Sequence, residues 1–149
     1  MAKAAGGIPL PPWAYVPGKA PRHPEDWFDA IKSSVRPGMT PADLQGSEAF
    51  VTGLHYLAEG YFWECHEVLE AVWMETAEGS AERDMVQALI QLANARLKIR
   101  MERPGAARRL CDMVEAHLSR LPEGEAILNI EASWVRAQVE AVRELLKRR

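Results

Sequence analysis

The sequence predicts an all-α protein: a single-domain bundle of five or six helices behind an extended N-terminal strap. Three observations support this. Apolar residues recur at helical spacing after Pro24, no alternating strand pattern of useful length occurs, and eight of the ten prolines lie within residues 1–41. We therefore expect the strap over residues 1–23 and the helical domain over residues 24–149.

The strap combines prolines with large aromatic side chains, among them Trp13 and Tyr15. Proline disfavours helix, and disordered tails are usually poor in aromatic residues. We therefore expect an ordered, extended segment that lies either on the domain itself or on a neighbouring subunit. Under the second interpretation the protein is a homo-oligomer. His23, in an Arg-His-Pro run, is expected to be exposed.

Capping residues, prolines and glycines divide the rest of the chain into helices. Thr40-Pro41 is typical of an N-cap followed by proline at the first helical position. Ser80 is typical of an N-cap with acidic residues in the turn after it. We expect helices over six segments, approximately 25–35, 40–60, 61–77, 80–102, 105–121 and 127–147.

Composition excludes several classes of protein. The 149 residues carry a net charge of −3, and this acidic balance argues against a nucleic-acid partner. No apolar run reaches the ~18 residues that a membrane helix needs, so we expect no membrane partner. The N-terminus lacks the apolar core of a signal peptide. Two cysteines make no disulfide framework, so a cytoplasmic location is expected.

The segment from Phe62 to Trp73 places histidine and glutamate within an aromatic stripe. At about 100° per residue, His66, Glu70 and Trp73 share one side of the helix. Glu67 lies on the flank, and Glu64 points away from His66. A site shared by His66 and Glu64 would therefore need a second subunit or a distorted helix.

The next helix carries a complementary polar stripe. Its members follow one another at spacings of three and four residues: Asp84, Gln87, Gln91, Asn94 and Lys98. Apolar residues flank the stripe on both sides, so we expect this helix to be central in the bundle. Its polar stripe then faces either solvent or polar groups such as His66 and Glu70.

Two hypotheses explain this pattern. In the first, the His/Glu/Gln centre is structural or binds a small polar ligand of unknown identity, through Gln87, Gln91, Trp73 and Glu64. In the second, the H-E-x-x-E string is a metal site of a hydrolase. His66 and Glu70 would then bind a divalent ion such as zinc, Glu67 would act as base, and His55, His117 or Asp84 would complete the ligand set.

These motifs resemble the all-helical domain of unknown function 309 family of prokaryotic proteins. The resemblance rests on a helix of the form F-x-E-x-H-E-x-L-E-x-x-W at residues 62–73, on a Q-x-x-I-Q-x-A string beginning at Gln87, and on the strap around Trp13. It covers roughly residues 10–120. The family is uncharacterised and is labelled as predicted metal-dependent hydrolase. The resemblance therefore favours a metal site and implies no substrate.

Overall fold

A computed structural model describes residues 7–148 of the chain. Five helices of twelve or more residues form the bundle, and two shorter helices precede them. The helices are α1 (Asp29–Lys32), α2 (Pro41–Gln45), α3 (Glu48–Glu59), α4 (Phe62–Met74), α5 (Ala81–Arg100), α6 (Pro104–Leu118) and α7 (Ala132–Lys147). The described part has no strand longer than an isolated bridge, so the predicted all-α class is confirmed.

Local capping chemistry sets the boundaries of the early helices. Thr40 caps α2 in a capping box with Asp43, and Pro41 occupies the first helical position, as predicted. The single helix expected over residues 40–60 is in fact two. Gly46 closes α2, and the Ser47 hydroxyl accepts from the N–H of Phe50 to begin α3. Gly60, with φ of +86°, ends α3 in the left-handed conformation.

Helix α5 is the centre of the bundle, as expected from its two apolar flanks. It packs against α4, α6 and α7. Ten of its twenty residues are buried: Met85, Val86, Ala88, Leu89, Ile90, Leu92, Ala93, Ala95, Leu97 and Ile99. The residues of its polar stripe are only half-buried, which shows that the stripe lies where the surrounding helices leave a gap.

The C-terminal helix starts later than its apolar pattern predicts. We expected helix from residue 127, but α7 begins at Ala132. Leu128 and Asn129 have positive φ and form a turn closed by hydrogen bonds between Ile127 and Ile130. This turn still buries Ile127 and Leu128, so it is part of the core without being helical. Trp134, in the first turn of α7, is 45% exposed.

The strap folds back onto its own helices over its described residues, 7–23; residues 1–6 of the predicted strap lie outside the described part. The indole N–H of Trp13 donates to the carbonyl of Pro21 at 2.7 Å, closing a loop within the strap. Tyr15 packs edge-on against Trp63 of α4 at a centroid distance of 5.0 Å. Aromatic contacts thus fix the strap on the bundle.

Between residues 7 and 148, no helix has both the length and the apolar character needed to cross a bilayer.

The close approach of α3 and α4 depends on Gly53. A Cβ at this position would lie 2.5 Å from Cδ2 and 2.7 Å from Cγ of Leu69, which is fully buried on α4. At Gly46, by contrast, the nearest atom to an added Cβ is the carbonyl oxygen of Ala42 at 3.7 Å. Gly53 therefore permits a helix contact that any larger residue would obstruct.

We expect Gly53→Ala to lower the free energy of unfolding by about 1–3 kcal/mol, because the added methyl group overpacks the α3–α4 contact. Gly46→Ala is the matched control and should change stability by about 0.5 kcal/mol or less. Urea unfolding followed by circular dichroism measures both. Equal stability of the two variants would contradict this account of the packing.

Candidate functional site: a polar pocket between α4, α5 and α6

An open pocket of about 530 Å³ lies between α4, α5 and α6. We call it the polar pocket. Its lining residues are His66, Glu70 and Trp73 of α4, Arg83, Asp84, Gln87, Ile90, Gln91 and Asn94 of α5, and His117 of α6. Of the residues singled out from the sequence, the structure thus brings His66, Glu70, Trp73, Gln87 and Gln91 to one wall or the other of a single cavity.

His66 is oriented by its own helix. Its Nδ1 lies 3.1 Å from the carbonyl oxygen of Trp63, and since a carbonyl only accepts, Nδ1 carries the proton and donates. Nε2 then lies 3.3 Å from Oε1 of Glu70, one turn further along α4. One interpretation of the sequence placed the polar stripe of α5 against His66. Within the described residues, however, no hydrogen bond joins His66 to Gln87 or Gln91.

Glu67 completes a compact group of potential metal ligands. One ligand atom each from His66, Glu67 and Glu70 lie within 4.8 Å of one another, the only such group of three in the described part of the chain. The carboxylate of Glu67 is already occupied, however, because Lys32 of α1 donates to its Oε2 at 2.7 Å. Lys32 thus occupies one of the two oxygens through which Glu67 could act as a base.

The α5 wall of the polar pocket consists of carboxamides. Asn94 donates to the side-chain oxygen of Gln91 at 3.1 Å. Gln87 makes no side-chain hydrogen bond to any other residue in the described part. Amide groups that both donate and accept are therefore available to whatever enters the pocket.

Trp73 is held at the end of the pocket by a residue that the sequence reasoning missed. The guanidinium of Arg83 lies 4.2 Å from the Trp73 ring centroid. The same side chain donates to the hydroxyl of Thr76 at 3.1 Å and to the carbonyl of Trp73 at 3.4 Å. These contacts of Arg83 join the end of α4 to the start of α5 and stabilise that end of the pocket.

Asp84 and His117 form a second oriented pair across the pocket. Nδ1 of His117 lies 2.9 Å from Oδ1 of Asp84, and Arg120 lies 3.3 Å from the same oxygen. Donation from Nδ1 to the carboxylate leaves Nε2 of His117 without a partner among the described residues. His117 is not part of the α4 ligand group, and it lines the polar pocket from the side of α6.

Glu64 does not line the polar pocket. It points away from His66, as helix geometry predicts, and is completely buried beneath the strap. Its Oε2 accepts from the backbone N–H of Tyr15 and from Nε2 of His23, each at 2.7 Å. We call this arrangement the strap latch. The expectation that His23 is exposed is wrong, because that residue is only 6% exposed and stacks on Trp13 at 4.9 Å.

Both cysteines are buried free thiols, as expected of packed small side chains. Burial, with a further contribution from the charge of Glu64, raises the pKa of Cys65. Burial likewise raises the pKa of Cys111. Neither thiol is suited to nucleophilic chemistry at neutral pH.

The family comparison agrees with the resemblance found in the sequence. Residues 50–110, which span α3, α4, α5 and the start of α6, match the family described as Domain of unknown function (DUF309). The match covers less than half of the 149 residues, and the description of the family assigns no reaction. No curated protein and no solved structure gave a significant match to the sequence.

The strap latch generates a stability prediction. His23→Ala leaves the buried carboxylate of Glu64 with only the N–H of Tyr15, and removing one hydrogen-bond partner of a buried group costs about 1–3 kcal/mol, or more when that group is charged. We expect urea unfolding to show a loss of this order. His55→Ala, at a half-buried histidine on α3, is the control. A loss no greater than that of the control would refute the importance of the latch.

Proposed function

We propose that the protein is a binding module whose polar pocket takes a small ligand rich in hydroxyl or amide groups. The observation that carries the proposal is the set of polar groups left without partners around the pocket. Gln87 is unpaired among the described residues, and Nε2 of His117 is free. A network that served only to fix helix register would pair these groups with one another.

The pocket offers a ligand complementary chemistry on each wall. Glu70 on α4 accepts from hydroxyl or amine groups, while Gln87 and Gln91 on α5 both accept and donate. The ring of Trp73 supplies an apolar contact at the end of the pocket. A mixture of a few oriented polar groups and one aromatic surface is typical of sites for small polar molecules.

Stability separates a ligand-binding role from a structural one. We expect Gln87→Leu to leave the free energy of unfolding unchanged within about 0.5 kcal/mol, or to raise it, because this amide satisfies no group of the folded chain. Gln45→Leu, at an exposed position on α2, is the control for the substitution itself. Urea unfolding of both variants provides the measurement.

The binding arm of the same experiment uses defined probes: ribose, glucose, N-acetylglucosamine and glutamine, each tested by thermal shift. A probe that raises the Tm of the wild type should lose its effect in Gln87→Leu and keep it in Gln45→Leu. If Gln87→Leu costs more than about 1 kcal/mol and no probe shifts the wild type, the centre is structural.

A second candidate function is metal-dependent hydrolysis, favoured by the ligand group on α4. When His66 is neutral, its Nε2 and Oε1 of Glu70 are two acceptors 3.3 Å apart, an arrangement that a cation between them would stabilise. Fixing Nδ1 on a backbone carbonyl is also how metal-binding histidines are commonly oriented. The residues thus fit a divalent ion held by His66 and Glu70, which would supply Lewis acidity.

The roles of the other residues follow from their partners. Glu67, expected as the base, would first have to leave Lys32. His117, already oriented by Asp84, is better placed to accept a proton from a molecule in the pocket. In this candidate function, His117 of α6 therefore transfers the proton, and His66 and Glu70 of α4 bind the metal ion.

Elemental analysis after incubation with Zn²⁺, Mn²⁺ or Fe²⁺ tests this candidate. We expect about one ion per chain in the wild type, lost in His66→Ala and Glu70→Ala because each variant removes one of the two principal ligands. His55→Ala, outside the polar pocket, should retain the ion. A wild-type protein that stays metal-free would eliminate the hydrolase and leave the binding module in place.

Location and assembly belong to the same proposal. The acidic net charge and the two free thiols support a cytoplasmic protein without a nucleic-acid partner. A homo-oligomer stays a prediction, which light scattering on the purified protein tests.

A further inference from the structure

A second cavity lies between α3, α5 and α7 and shares no residue with the polar pocket. Its volume is about 260 Å³. We call it the apolar groove. Seven of its lining residues are apolar, namely Leu54, Leu57, Ala58, Phe62, Leu92, Ile130 and Trp134, and the other two are Arg96 and Gln138. A mainly apolar wall with one cationic and one amide side chain is complementary to an amphipathic ligand.

The cation in this groove has no acidic partner. Arg96 forms no salt bridge with any carboxylate of residues 7–148. Its guanidinium lies 5.2 Å from the Phe62 ring centroid instead. Buried charges in folded proteins are usually paired. The half-buried guanidinium of Arg96 lacks a carboxylate partner in the described residues, and this favours an anionic ligand.

A neighbouring arginine strengthens the local positive potential. Arg100, one turn along α5, lies 4.3 Å from the same Phe62 ring and donates to the carbonyl of Gly60. It also has no carboxylate partner in the described part of the chain. Burial lowers the pKa of Arg100, and the charge of Arg96 lowers it further, although the more distant Glu64 acts in the opposite direction. A negative charge beside Arg96 would relieve this repulsion.

We propose that the apolar groove binds a small apolar monocarboxylate, with its carboxylate on Arg96 and its hydrocarbon part against Leu57, Leu92 and Trp134. Gln138 of α7 donates a second hydrogen bond to the carboxylate. A single cationic head above an apolar floor matches one carboxylate on a short hydrocarbon chain. The volume of the groove is below the usual range for drug-sized ligands, which limits the ligand to a small one.

Three probes with one hydrocarbon chain and different head groups test the proposal: octanoate, octanol and octylammonium, each titrated calorimetrically into the full-length protein. We expect saturable binding of octanoate. Octanol should bind at least about tenfold more weakly, because it cannot form the charge-assisted hydrogen bond, and octylammonium should not bind. Octanol binding as tightly as octanoate, or no saturable binding of octanoate, would overturn the proposal.

Two variants locate the site. Arg96→Gln should weaken octanoate binding about tenfold or more, whereas Arg109→Gln, on the exposed surface of α6, should have no effect. Ala58→Trp places a large side chain in the groove from an exposed position, so it should abolish binding while Arg96 is retained. Far-ultraviolet circular dichroism confirms that each variant is folded. Undiminished binding in either Arg96→Gln or Ala58→Trp would disprove this assignment.

Discussion

The strap latch is the interaction on which the arrangement of the α4 side depends. A fully buried carboxylate is costly without hydrogen-bond donors, and Glu64 obtains two from the strap, both on Oε2, while its Oε1 has none among the described residues. The side chains of α4 are about 100° apart along the helix, so anchoring Glu64 beneath the strap also fixes the direction of His66 and Glu70. The latch therefore holds the strap in place and turns the chemically active face of α4 toward the polar pocket.

The second constraint is that α4, α6 and α7 do not cover the whole circumference of α5. Its buried residues lie on most sides of the helix, where α4, α6 and α7 pack against it. The remaining strip could not be apolar without exposing a hydrophobic patch, and it carries Asp84, Gln87 and Gln91. The polar pocket is thus the gap that α4 and α6 leave along α5, lined by residues that water or a polar ligand can satisfy.

Sequence reasoning succeeded where the determining interactions are local. The N-caps at Thr40 and Ser80 and the polar stripe of α5 depend on residues within one or two turns, and the structure has them as predicted. It failed where distant residues decide the outcome. His23 is 41 residues from Glu64, and nothing in an Arg-His-Pro run indicates burial. The apolar pattern around Leu128 is compatible with helix, but the packed turn there positions α7. Likewise, Lys32 and Arg83 showed no motif that would have assigned them to the site.

Helix α1 contacts both the strap latch and the candidate ligand group of α4. Lys32 reaches Glu67, one turn beyond Glu64 and next to His66, while Phe28 at the start of α1 packs edge-on against His23 of the latch at 5.7 Å. The short helix α1 is thus in contact with the latch at one end and with the candidate ligand group at the other. Phe28 also packs against Tyr56 of α3 and Trp63 of α4, so α1 is anchored on the bundle as well as on the latch. The strap at Glu64 and α1 at Glu67 thus hold α4 from outside the polar pocket, which no residue of either segment lines.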